Sequence, residues 1–158
     1  MIQAVANDTN VDPRFILAVM MQESKGCVRV QTTYGSNCNP GLMQDHCGLN
    51  SCVGMDPCPA SEIYGMLQDG VGGTDAGDGL AGIMNELNNG TATNEMDFGN
   101  ATSVSQLYYR AARMYNSGSI DPSGNLELGG STHCYASDVA NRLMGWVFAE
   151  STCPYTIY

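Results

Sequence analysis

Positive charge is what this sequence has least of. Six lysines and arginines stand against sixteen aspartates and glutamates in 158 residues, giving a formal net charge of −10, and charged residues are only 14% of the chain. A nucleic-acid binder needs basic patches to displace counterions from phosphates, and electrostatic attachment to anionic lipid needs the same; the charge balance argues against both. An uncharged or cationic ligand suits the chain better. Long hydrophobic runs are also missing, so no membrane-spanning helix is expected. The opening MIQAVANDTN has neither a basic start nor an apolar run and does not read as a secretory leader. There is no CxxC pair and no pair of histidines at ligand spacing, so neither a zinc framework nor any other metal or cofactor is expected. Repeats, linkers and low-complexity tracts are lacking as well, which makes the expectation one domain over residues 1–158.

What the chain does have is 43% hydrophobic residues, enough for a core without partner subunits, so a monomer is expected. It has nineteen glycines, which point to many turns or to close backbone approach at a site. It also has seven cysteines, at 27, 38, 47, 52, 58, 134 and 153, five of them within residues 27–58. That density in a small acidic chain implies disulfides and an oxidising compartment. The pairing is open, and the odd count suggests a fragment lacking an N-terminal module. Three N-x-S/T sequons, at Asn7, Asn89 and Asn100, fit a glycosylated, secreted protein whose leader has been removed.

Apolar periodicity predicts a mainly α (α+β) protein with a helical part and a small, disulfide-stabilised irregular or β part. A first short helix covers residues 2–7. The second opens at Asp12 as N-cap with Pro13 in the first turn. Its stripe of Phe15, Ile16, Val19 and Met20 continues into Glu23. Residues 27–58 read as irregular, with a short strand over 28–33. Further helices are expected from Ser61 as cap, from the first turns around Asp75 and Asp78 to about Asn88, and over 103–117 with Gly118 as stop. Residues 91–101 read as a loop. A final helix covers 136–152, its core stripe being Val139, Leu143, Trp146 and Val147.

Three short motifs stand in order along this frame. Glu23-Ser24-Lys25-Gly26 ends the second helix, Gly41-Leu42-Met43-Gln44 follows in the irregular region, and Ala112 to Gly118 (ARMYNSG) ends a later helix. The order resembles the goose-type lysozyme and soluble lytic transglycosylase family of the lysozyme-like superfamily, where a catalytic E-S-x-G precedes G-L-M-Q and an A-x-Y-N-x-G helix end. The resemblance covers roughly residues 10–120. It implies a lysozyme-like fold and a secreted glycoside hydrolase cleaving the β-1,4 bond of peptidoglycan after N-acetylmuramic acid. By that resemblance Glu23 is the catalytic acid, Met43 and Gln44 contact substrate, and Tyr115 faces the acid and the sugar beside Asn116. The residues themselves agree on Glu23: glycosidic cleavage needs a carboxyl that keeps its proton, and apolar neighbours with a helix C-terminus both favour that state.

A second carboxylate is harder to place. Residues 27–44 contain no Asp or Glu; Asp45 comes first, then Asp56, and His46 stands where the family's second aspartate is typical. Asp45 is thus either a base that activates water or the anchor of a loop turn. Without a base, attack by the substrate's own hydroxyl would leave an anhydro sugar. Tyr34, in the loop between the motifs, is a candidate for stacking on a sugar face. His46 and His133 read as loop or cleft-edge residues, Ser24 as a support for Glu23, and Lys25 as solvated. Two other readings use the same residues: a lysozyme-fold hydrolase of chitosan or mannan, the cationic polymer suiting the net charge, and a glycan-binding protein without catalysis.

Overall fold

The computed structural model describes residues 1–90, 100–129, 131–148, 151 and 153. The chain is mainly helical, with six helices among the described residues, one two-stranded antiparallel sheet and three disulfides. It divides into two compact units, Met1–Gly82 and Ile83–Tyr158. No helix among the described residues is long and apolar enough to cross a membrane.

In the first unit, α1 (Ile2–Thr9) packs against α2 (Pro13–Glu23) and α3 (Ala60–Gly72). Helix α2 begins as its sequence directs. Pro13 occupies the first turn and the Asp12 carboxylate accepts from Arg14 N at 2.8 Å. Phe15, Ile16, Ala18 and Val19 on α2 are buried with Val5 and Ala6 of α1 and Met66, Leu67 and Val71 of α3. A polar stitch joins α1 to α3: Tyr64 Oη donates to Asp8 Oδ2 at 2.9 Å, and Gln68 Nε2 donates to Tyr64 Oη at 2.7 Å.

The sheet is smaller than the sequence suggests. Residues 28–32 lie outside it, Val30 N turning back to Cys27 O, and only β1 (Thr33–Tyr34) pairs with β2 (Cys38–Asn39). The Cys38–Cys47 disulfide ties β2 to the loop that follows, and Cys52–Cys58 closes the next one. Cys27 is a free, exposed thiol. Helix α3 starts one residue before Ser61, with Pro59 at the cap and its carbonyl accepting from Ile63 N. Asp75 and Asp78 precede α4 (Leu80–Asn89) and do not join its first turn.

In the second unit, α5 (Val104–Ser117) packs against α6 (Tyr135–Leu143). Ser103 caps α5 by accepting from Gln106 N, while the Gln106 side chain reaches back to Thr102 N, and Gly118 ends the helix in the left-handed conformation. Helix α6 stops at Leu143, well short of residue 152. Gly145 N donates to Arg142 O and Trp146 N to Asn141 O, with Gly145 at φ +98°, the hydrogen-bond pattern of a Schellman cap. The expected stripe breaks with it: Val139 is buried, but Leu143 and Trp146 are exposed. Cys134 pairs with Cys153. The expected loop at 91–99 and Thr91 of the Asn89 sequon lie outside the described residues. Asn7 sits inside α1, where its Oδ1 accepts from Gln3, and not in a loop of the kind that suits a glycosylation acceptor.

Candidate functional site

Glu23 is the last residue of α2 and is half-buried. Ser24 explains how the helix ends there. Its N–H and hydroxyl both donate to Met20 O, at 3.0 and 3.1 Å, and its Oγ accepts from Gly26 N at 3.2 Å. Ser24 is buried, whereas Lys25 is exposed with φ +54°. The hydroxyl thus clamps the turn that carries Glu23, in keeping with the support role expected of Ser24.

The Gly41–Gln44 segment lies in the same unit and is anchored from below. Leu42, Cys52 and Met66 form a buried cluster, and Met20, one turn before Glu23, packs against it. The last turn of α2 is therefore joined through Met20 to the cluster that holds Leu42. Gly41 is required twice over: its φ is +70°, and an added Cβ would come within 2.7 Å of Met66 Cγ. Met43 has no exposed surface, and its side chain packs in the core. Gln44 spends its amide on the protein: Nε2 donates to Gly41 O at 3.0 Å and Gln31 O at 3.4 Å, and Oε1 accepts from Thr33 Oγ1 at 2.9 Å. It braces β1 against the loop. Tyr34 on β1 is 81% exposed, and its ring is open to stacking.

Asp45 is 4% exposed. Its Oδ1 accepts from Gly48 N at 2.7 Å, the loop-turn bond of the alternative reading, while its buried Oδ2 has no partner. Burial, with the nearby Asp69 charge adding to it, pushes its carboxyl up to about 7 against the pull of the Gly48 bond. Asp69 of α3 is a carboxylate that sequence reasoning missed. It accepts from Asn50 N at 3.2 Å and Asn50 Nδ2 at 2.7 Å. The signal was present, since Asp69 falls three residues after Met66, beside the apolar stripe of α3, as Glu23 follows Met20 on α2. Asp56 is elsewhere, paired with Arg29 at 3.1 Å on the surface. The His46 ring lies against Gly77, and its carbonyl accepts from Thr74 Oγ1.

Tyr115 and Asn116 belong to the second unit, in the last turn of α5, and both are half-buried. Asn116 Oδ1 is buried without a partner. Beside them in sequence, Arg113 was also missed. It is 1% exposed, and its guanidinium donates to Leu128 O and Thr132 O, fastening those residues to α5. His133 Nδ1 contacts Glu127 O. Among the described residues, no three His, Cys, Asp or Glu side chains come together as a metal-ligand set.

Comparison with known proteins found no matching family model, no matching curated protein and no matching solved structure. The likeness to goose-type lysozymes therefore rests on the three short motifs.

Proposed function

We propose that the chain is a secreted glycoside hydrolase of lysozyme-like fold, acting on the β-1,4 bonds of peptidoglycan with Glu23 as general acid. One observation carries the reading. The last turn of α2, ending in a half-buried Glu23, is joined through Met20 to the buried cluster that holds Leu42 of Gly41–Gln44. A carboxyl presented from an apolar helix end is what protonation of a glycosidic oxygen needs. Tyr34 is proposed to stack on a sugar ring, with Gln44 holding the strand that carries it. Three disulfides are compatible with secretion.

Within this proposal Asp45 supports the loop and does not activate water, because its carboxyl is enclosed and bound to Gly48 N. That same enclosure favours a second reading, in which the substrate's own hydroxyl attacks and the product is an anhydro sugar. Digestion of peptidoglycan, chitosan and mannan in parallel, with products weighed by mass spectrometry, tests both. Reducing ends from peptidoglycan support the hydrolase, and products lighter by one water support the transglycosylase. Cleavage of chitosan or mannan alone would move the reading to another polymer. No cleavage of any of the three would remove it.

A further inference from the structure

We infer that Asp45, enclosed beside Asp69 where the 41–50 loop meets α3, holds a proton that it releases as pH rises, making that loop a pH-responsive element. The geometry is a convergence of two carboxyls on one glycine. A Cβ added at Gly48 would collide with Asp45 Oδ1 and stand 2.6 Å from Asp69 Oδ2. Gly48 N donates to Asp45, and Asn50 N and Nδ2 donate to Asp69, so the loop is tied to both acids within three residues. Both carboxyls thus border Gly48, and the Asp69 charge adds to the burial that disfavours a charge on Asp45.

The donors differ between the two. Asp69 accepts two hydrogen bonds from Asn50. Asp45 receives one from Gly48, and its other oxygen is buried without a partner. The proton therefore resides on Asp45, in keeping with a carboxyl raised to about 7. The other charged and titratable neighbours are Glu62 of α3, which accepts from Ser51 N, and on the loop itself His46, whose ring lies against Gly77. Below neutral pH Asp45 is uncharged beside Asp69. Above it, Asp45 ionises and the two acids repel, which shifts the ties at Asn50, while the Gly48 N–H, which favours the charged carboxylate, is drawn to it more strongly. Any effect on Gly41–Gln44 as part of a glycan site rests on the proposed function; the pair itself does not.

The test is a carboxyl-carbon and amide NMR titration of the intact protein from about pH 5 to about pH 9, spanning the window in which a raised carboxyl loses its proton. One aspartate carboxyl is expected to titrate near neutrality, with the Gly48 and Asn50 amides moving at the same midpoint. In Asp69→Asn that midpoint should fall, with burial still holding it above the ordinary carboxylate range. In Asp45→Asn, which keeps the acceptor for Gly48 N, the two amides should become insensitive to pH over the same window. The inference is overturned if every carboxyl in the wild type titrates below about pH 5, or if the amides of Asp45→Asn still titrate. These readouts use no substrate, so they stand or fall independently of glycan cleavage.

Discussion

Replacing Asp45 by asparagine removes a carboxyl that the fold holds at about 7 against 3.8 in the unfolded chain. A folded-state pKa above the unfolded value means that the native state binds the extra proton. The associated stability is complete below the unfolded pKa, declines as pH rises between the two values, and is gone above about 7. A difference of about 3 units at about 1.4 kcal/mol each corresponds to roughly 4 kcal/mol of stability lost by the wild type, relative to the variant, between acid and mildly alkaline solution. Local opening of the loop at high pH reduces that figure, because a freed carboxylate regains water. Asparagine retains Oδ1 for Gly48 N and presents an N–H₂ group on the side of Oδ2. Urea unfolding at several pH values, followed by circular dichroism, measures the effect. The expected result is a wild-type curve that falls relative to the variant as pH rises from 3.8 to about 7 and then runs parallel to it. Curves parallel throughout, or a wild type that gains on the variant as pH rises, would refute the reasoning.

Three further outcomes are expected. Gly48→Ala places a methyl against Asp45 Oδ1 and Asp69 Oδ2, which should destabilise the first unit by about 1–3 kcal/mol, with lost protection of loop amides in hydrogen exchange. Asp12→Ala removes the cap of α2 and should cost about 1 kcal/mol in denaturant unfolding. The Arg14 hydrogen bond holds the Asp12 carboxyl below its usual value, so that cost should fade as pH drops below the ordinary carboxylate range. Opening the nine-residue Cys38–Cys47 separation with paired alanines should cost roughly 3 kcal/mol by loop-closure entropy, read as a lowered Tm.

The helices were legible where local chemistry decides them. Asp12 and Pro13 start α2, and Gly118 stops α5, by rules that need no tertiary knowledge. The α6 error came from following the apolar stripe through Gly145, which closes the helix with its own backbone hydrogen bonds. In 27–58 the strand was misplaced because pairing there is set by a hairpin and a disulfide, neither of which alternation reveals. The site was legible only in part. The apolar stripe of α2 brought out Glu23, but the setting of Asp45 depends on Asp69 of α3, which lies more than twenty residues away in sequence. Asp69 and Arg113 lie inside helical segments where no local pattern singles them out. Only the packed structure turns them toward the loops they hold.

The most direct measurement of the central claim is the rate of peptidoglycan cleavage by wild-type protein and by Glu23→Gln, with circular dichroism showing that the variant folds. If Glu23 is the general acid, the wild type releases muropeptides and the folded variant loses activity by about 100-fold or more, since the amide cannot supply the proton. A folded Glu23→Gln that cleaves at the wild-type rate would contradict the account.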